Sequence, residues 1–139
     1  MGVFHRLRAA FARNVTSTLD PARPDLVVVV SGFDPVQACS AALHESSSWL
    51  PERPAVLRHH LQLPACSVPR AIALAAQEGY TAVQPVGGGD ADLVLARVQV
   101  LDALHCSQER SRMVGLAQRL GGQVLGWDGL QPRAIDAYR

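Results

Sequence analysis

The chain has 139 residues, of which 48% are hydrophobic and 18% are charged, and its formal net charge is +1. This balance is typical of one folded domain with a modest elaboration; it excludes a disordered chain, and the charge gives no bulk attraction to nucleic acid or membranes. Three cysteines without a CxxC pair, and the lack of an apolar run of membrane-spanning length, predict a cytoplasmic protein with free thiols and no transmembrane segment.

Residues 1–52 are predicted to form an N-terminal extension made of a helix, a strand and a second helix. The first helix is predicted over residues 3–19, where apolar side chains recur at three- and four-residue steps. Those apolar residues are Val3, Phe4, Leu7, Phe11, Val15 and Leu19, and the arginines between them are Arg6, Arg8 and Arg13. The apolar run at 25–33 predicts a strand buried on both faces, and Asp34 with Pro35 predicts the start of the second helix. The sequence leaves open whether this strand joins the main sheet.

Residues 53–139 are predicted to form an α+β domain with the element order strand, helix, strand, strand, helix, strand. The strands are predicted at residues 55–63, 81–86, 91–102 and 123–129, and the helices at residues 67–79 and 107–120. Ser67 is expected to cap the first of these helices, and Gly79 and Gly121 are expected to end them. This order is the split βαβ arrangement of a ferredoxin-like two-layer sandwich.

The residues with catalytic or metal-binding chemistry are scattered along the chain. His59 and His60 are neighbours on a strand and point to opposite faces, which favours His59 in the core and His60 on the open face over a shared metal site. Cys106 is interpreted as an inert packing residue, although a helix N-terminus beside it would raise its reactivity. The glycine run at 87–89 leads into a strand, so it predicts a connector and not a phosphate loop. The sequence therefore predicts a non-enzymatic protein with no cofactor and no metal; an enzyme or metal protein that uses His59, His60 or Cys106 is the third hypothesis.

Polar side chains at alternate strand positions predict an exposed sheet face that contacts a partner. The candidate partner-binding residues are Arg58, His60, Gln62, Arg97, Gln99 and Trp127. RNA-binding domains of similar topology stack bases on paired aromatic side chains, and the strands here offer only Trp127 and the nearby Tyr80. This favours a protein partner, and an ordinary solvated face is the equal alternative. The N-terminal candidates for nucleic-acid or partner contact are Arg6, Arg8 and Arg13, although packing on the domain is favoured for that helix.

Residues 55–130 resemble the regulator of ribonuclease activity B (RraB) family. The resemblance is carried by the segment from Leu57 to Leu61, by Gly79-Tyr80, by Gly126-Trp127 and by the spacing between them. It implies a non-catalytic cytoplasmic regulator that binds ribonuclease E and restrains RNA decay by the degradosome. Family members are strongly acidic and this chain is near neutral, so the resemblance implies contact through local patches. The alternative function is an RNA- or ribosome-associated binding protein that uses the N-terminal and sheet-face arginines.

Overall fold

The computed structural model describes residues 19–85 and 89–133. Within these residues the chain is α+β, as predicted, with one five-stranded antiparallel sheet in the order β1-β5-β2-β4-β3. The strands are β1 Leu26–Gly32, β2 Pro54–Gln62, β3 Thr81–Val83, β4 Leu93–Val100 and β5 Gln123–Pro132, and the helices are α1 Cys39–Glu45, α2 Val68–Ala76 and α3 Ala103–Arg119. The predicted helix over residues 3–19 lies outside the described residues except for Leu19.

Strand β1 belongs to the main sheet, which answers the question that the sequence left open. It pairs with β5 from Leu26 opposite Pro132 to Gly32 opposite Trp127, with a bulge between Val28 and Val30. Because β1 has a neighbour on one side only, it forms an edge of the sheet, and half of Val28 is exposed. The prediction of a strand buried on both faces is therefore wrong, since an unbroken run of valines does not reveal whether a strand is central.

The two faces of the sheet are covered differently. Two apolar clusters join the helices to one face: the first connects α1 and α3 to Leu57 and Trp127, and the second connects α2 and α3 to Leu61 and Leu95. A third cluster on the other face contains no helix residue and is built on Val56. We call this second surface the helix-free face, meaning the face on which no described helix packs.

Helix α1 begins later than the sequence predicts. The Asp34 carboxylate accepts a hydrogen bond from the amide of Val36, and residues 34–37 form a turn in place of a first helical turn. Val36 is consequently 90% exposed, and the helix begins at Cys39. The Asp34-Pro35 pair forms a turn and not a helix start, because the Asp34 carboxylate accepts from the amide two residues ahead, as in an Asx turn.

Helix α2 begins directly after Ser67, as predicted, but ends at Ala76, three residues before Gly79, whereas α3 ends close to the predicted position but begins earlier. Gly79 and Gly121 follow the helix ends with φ angles of 84° and 83°, a backbone conformation that favours glycine. Ser67 occupies the position before α2, but its hydroxyl donates to the carbonyl of Leu120 and accepts no hydrogen bond from an amide of α2, so the predicted cap by its side chain is wrong. Helix α3 begins at Ala103, earlier than predicted, because Asp102 accepts from the amide of His105 and caps it.

Candidate functional site

The six predicted partner-binding side chains do not share one surface. Residues directly opposite in an antiparallel pair point to the same side of a sheet. Arg58 lies opposite Ala96 on the helix-free face, whereas Arg97 lies opposite Leu57 on the helix-covered face. Gln99, two residues after Arg97, shares the helix-covered face, and Gln62, like His60, shares the face of Arg58. The predicted platform of Arg58, His60, Gln62, Arg97 and Gln99 is therefore wrong, because the register separates it into two groups.

Trp127 is a core residue. It lies opposite His59 in the pairing of β2 with β5, it is buried, and it packs in the cluster that joins α1 and α3 to the sheet. Its ring fills the space that Gly32 leaves open, since a Cβ on Gly32 would lie 2.2 Å from Nε1 of Trp127. The structure thus places Trp127 beneath the surface, where it supports the fold.

Arg58 is paired with a carboxylate that the sequence reasoning did not single out. Its Nε and Nη2 donate to the two carboxylate oxygens of Asp128 at 2.8 and 2.6 Å, and His60 Nε2 lies 3.2 Å from Asp128 Oδ2. Burial raises the pKa of Asp128, but the hydrogen bonds from Arg58, together with the nearby His60 imidazole, outweigh it and hold that pKa below its usual range. A bidentate pair of this kind satisfies the guanidinium internally. Asp128 lies in the closing strand, and the alternation of that strand places it beside Arg58. This alternation was the sequence signal that could have identified the pair.

His60 is covered and not on an open face. It is 8% exposed, and the ring of Phe33 lies over it with centroids 5.2 Å apart. The Phe33 ring occupies the place that Gly126 leaves free, because a Cβ on Gly126 would lie 2.4 Å from Cδ1 of Phe33. Phe33 itself remains 48% exposed. The expectation for His60 is wrong because a residue beyond the end of β1, distant in sequence, folds over it.

The exposed side of Phe33 borders a cleft between the end of β1 and helix α3. The cleft has a volume of about 530 Å³. Its apolar lining includes Phe33, Pro35, Val114 and Leu125, and its polar lining includes Ser107 and Arg110. We call this surface the Phe33 cleft. Sequence reasoning missed it, because Phe33 and Val114 are separated by eighty residues and meet only through the fold.

Arg110 fixes one wall of the Phe33 cleft. Its Nη1 donates to the carbonyl of Gln37 at 2.7 Å, and its Nη2 donates to the carbonyl of Pro35 at 2.8 Å. The turn over residues 34–37 is thereby tied to α3 by charge-assisted hydrogen bonds. The cleft is therefore pre-formed, and a partner would not have to order it on binding.

A second concave surface runs along the helix-free face. It has a volume of about 680 Å³, and we call it the sheet groove. Its apolar lining includes Leu19, Leu26, Val56, Ala96, Val98 and Leu130. Its polar lining consists of Arg58, Thr81, Gln84 and Arg97. Arg97 is among the lining residues although its position opposite Leu57 is on the helix-covered face. A long aliphatic depression with a polar rim suits the apolar side of an amphipathic segment.

A buried polar cluster on the helix-covered face has the residue types of an acid–base site. The hydroxyl of Tyr80 donates to Glu109 Oε1 at 2.8 Å and lies 3.3 Å from Nε2 of His59. Arg97 Nη2 lies 3.2 Å from the same Glu109 oxygen, and its guanidinium carbon lies 4.5 Å from the centroid of the Tyr80 ring. Burial raises the pKa of Tyr80 and lowers that of His59 to about 3. His59, Tyr80 and Glu109 are all buried, so this cluster joins the sheet to α3 beneath the surface.

Cys106 is a buried, free thiol. Burial, together with the nearby Cys39, raises the pKa of Cys106 to about 12. Its neighbour His105 is exposed and bonds through Nδ1 to Asp102 at 2.7 Å.

Within residues 19–85 and 89–133, no three His, Cys, Asp or Glu side chains are grouped so that they could hold a metal ion. No helix in the same part of the chain is both long and apolar enough to cross a bilayer.

The remaining candidates, Arg6, Arg8 and Arg13, lie outside the described residues. The residues that carry the family resemblance lie within the described part of the chain, and four of them surround His59. Tyr80 lies edge-on to the His59 ring, Trp127 lies opposite His59 in the strand pairing, and Leu57 and Leu61 flank it on the same side of β2. Apart from the exposed Gly79 and the half-buried Arg58, they are buried. Comparison of the chain with family models, with curated proteins and with solved structures finds no match.

Proposed function

We propose that this protein is a non-catalytic, cytoplasmic regulator that acts by protein–protein contact, as its resemblance to the RraB family implies. The first partner to test is ribonuclease E. The observation that supports a binding role is the Phe33 cleft, where an exposed aromatic ring borders a pre-formed depression. Exposed aromatic side chains around a concave apolar surface are typical anchors of protein interfaces.

The fold supports the family resemblance only in part. Strands β2 to β5 in the order β5-β2-β4-β3, with α2 after β2 and α3 after β4, agree with a ferredoxin-like sandwich, extended at one edge by β1. Most of the residues that carry the resemblance are buried, so they support a shared fold more directly than a shared partner. The identity of the partner therefore rests on analogy, and the Phe33 cleft supplies the independent support for a binding function.

Two of the arginines on which the alternative function, RNA or ribosome binding, would depend are engaged in internal ion pairs. Arg58 is held by Asp128, and Arg97 is held by Glu109 and by the ring of Tyr80. Phosphate binding through either side chain would require an existing pair to be broken. This alternative consequently depends on Arg6, Arg8 and Arg13, and it predicts an affinity that falls steeply with salt concentration.

The test is calorimetric titration of the full chain with purified ribonuclease E. In the variants Phe33→Ala and Val114→Ser we expect Kd to rise at least about tenfold, which corresponds to about 1.4 kcal/mol. The control is Leu104→Ser, because Leu104 is 63% exposed on the same helix as Val114 but does not line the cleft, and its Kd should stay within about twofold.

Val114→Ser is included because Phe33→Ala also uncovers His60, whereas Val114 lies on α3, which packs on the other face of the sheet from His60. If all three variants weaken binding equally, the Phe33 cleft is not the binding site. If the wild-type chain does not bind ribonuclease E, the proposed partner is wrong. Binding to RNA that disappears between about 50 and 200 mM salt would then support the alternative function.

A further inference from the structure

Strand β5 extends beyond the end of its neighbour β1. The last pair between them joins Gly32 to Trp127, whereas β5 begins four residues earlier, at Gln123. Residues 123–126 therefore pair with β2 on one side and have no strand of the described chain on the other. Backbone N–H and C=O groups alternate in direction along a strand, so part of this segment directs its groups away from β2. We call residues 123–126 the open edge.

The Phe33 cleft lies along the open edge. The residues of that edge that line the cleft are Val124, Leu125 and Gly126. Phe33 covers His60 on the helix-free face, and α3 contributes Val114 from the helix-covered face. An extended chain that continued the line of β1 would consequently have an apolar surface on each side. Because successive side chains of a strand point to opposite faces, neighbouring residues of that chain would contact Phe33 and α3 in turn.

The wall of the cleft on the α3 side carries a positive charge. Arg110 is the one charged residue among the described residues that line the cleft, and its guanidinium donates to three backbone carbonyls in residues 34–37. These carbonyls have no formal charge, and Arg110 forms no ion pair with a carboxylate of the described residues. Ser107 and Ser111, about one turn apart on the same helix, add hydroxyl groups to this wall. The wall is therefore complementary to a carboxylate.

We propose that the Phe33 cleft binds an extended peptide segment of a partner protein, which pairs with the open edge as an added strand. One residue of the segment is apolar and packs on Phe33, and the next is acidic and faces Arg110. Backbone pairing with a sheet edge supplies affinity, and the alternate side chains supply specificity. This inference deepens the proposed function and rests on the Phe33 cleft being the binding site, but it does not depend on the partner being ribonuclease E.

The experiment begins with random heptapeptides displayed on phage, which are selected for binding to the full chain. We expect the enriched sequences to share an aliphatic or aromatic residue directly beside Asp or Glu. The best peptide is then synthesised with a fluorescent label, and its Kd is measured by anisotropy. We expect Kd to rise at least about tenfold for Val114→Ser, and to change less than about twofold for the control Leu104→Ser.

The charge is tested on the peptide, because a change of Arg110 would also release residues 34–37 from α3. Replacing the acidic residue of the peptide with its amide should raise Kd at least about tenfold on the wild-type chain. The melting temperature of each protein variant must match that of the wild-type chain, which separates loss of binding from loss of folding.

Backbone pairing is tested with two N-methylated versions of the same peptide, one methylated at the odd and one at the even positions. Alternate N–H groups of a strand face the same neighbour, so only one version loses the hydrogen bonds to the open edge, and its Kd should rise at least about tenfold. The chain has two tryptophans, and NMR resolves their indole N–H signals. The signal of Trp127, which lines the cleft, should shift on binding, and that of Trp49, assigned with Trp49→Phe, should not.

Four results would overturn the proposal. If no heptapeptide is enriched, or if the enriched sequences lack the apolar–acidic pair, the cleft does not select this peptide chemistry. Equal Kd values for the two N-methylated versions would mean that the peptide does not pair with the open edge. A Kd unchanged by Val114→Ser would place the peptide elsewhere. A dimer in sedimentation that the peptide dissociates would assign the open edge to a second copy of the chain.

These results are distinct from a failure of the proposed partner. If ribonuclease E binds and its Kd depends on Phe33 and Val114 while the peptides do not bind, only the added strand is wrong. If the peptides bind as expected and ribonuclease E does not, the added strand stands and the partner is a different protein.

Discussion

His59 and Tyr80 meet edge-on in the core, with ring centroids 5.6 Å apart and the Tyr80 hydroxyl 3.3 Å from Nε2 of His59. Because the Tyr80 hydroxyl donates its hydrogen bond to Glu109, it is the acceptor in its contact with His59. This contact requires the His59 proton to be on Nε2. Nδ1 then carries no proton, and it has no hydrogen-bond partner among the described residues. The central histidine of the sheet is therefore held in its neutral form.

The first prediction concerns pH. Burial, the charge of Arg97 and the neighbouring His60 lower the pKa of His59 from 6.5 to about 3. Between these values the unfolded chain binds a proton that the folded chain does not, so the free energy of unfolding decreases as pH falls below 6.5. The slope from this group approaches about 1.4 kcal/mol per pH unit.

Urea unfolding of the wild-type chain and of His59→Gln between pH 4 and pH 8 measures this contribution. The glutamine variant lowers stability at pH 7.5, but its difference from wild type should shrink progressively below pH 6.5. A constant difference across the range would mean that His59 titrates normally in the folded protein.

The second prediction concerns the Arg58–Asp128 pair. Replacing Asp128 with Asn leaves a largely buried guanidinium without its counter-charge, and we expect a loss of about 3–5 kcal/mol in the free energy of unfolding at pH 7. The pKa of Asp128 is lower in the folded chain than its reference value of 3.8, so the stabilisation is complete above that value. It is lost as pH falls through the folded pKa.

The double variant Arg58→Leu/Asp128→Leu is the control, because it removes both charges. We expect it to be more stable than Asp128→Asn, since no unpaired charge remains on the face. If the single variant is within about 0.5 kcal/mol of wild type at pH 7, the ion pair does not contribute in solution.

The third prediction concerns the thiols. Cys66 is exposed, whereas Cys39 and Cys106 are buried and burial raises the pKa of Cys106 to about 12. A colorimetric thiol reagent at pH 8 should modify one cysteine rapidly in the native protein and all three in denaturant. Cys66→Ser should abolish the rapid phase. Rapid modification of that variant would show that Cys39 or Cys106 is reactive, and if mass spectrometry mapped the label to Cys106, that cysteine would be reactive, as the enzyme hypothesis requires.

The fourth prediction compares two glycines. A Cβ on Gly32 would lie 2.2 Å from Nε1 of Trp127, so Gly32→Ala should force the indole to move and cost about 1–3 kcal/mol. Gly115 lies within α3 with no atom within 4 Å of a Cβ placed there. Gly115→Ala should therefore stabilise the protein by about 0.5–1 kcal/mol through helix propensity. Thermal unfolding measures both, and similar shifts for the two variants would contradict the packing around Trp127.

Local patterns in the sequence were sufficient to locate most elements. The alternation from Ala55 to Leu63 predicted β2, and the three- and four-residue steps of Met113, Leu116 and Ala117 predicted the buried side of α3. The glycines after α2 and α3 marked the helix ends because their left-handed φ angles favour a residue without a side chain. These signals depend on neighbours within a few residues, so one sequence is enough to reveal them.

The candidate site depended on relationships that no local pattern contains. The register of β2 with β4 placed Arg58 and Arg97 on opposite faces, and the pairing of β1 with β5 brought Phe33 over His60. A shift of one residue in register would have exchanged the faces while leaving every strand unchanged. The sequence by itself determined where the strands and helices lie, because propensity and periodicity are local. Only the tertiary structure decided which side chains are exposed together, because long-range packing sets the register and the neighbours of each strand.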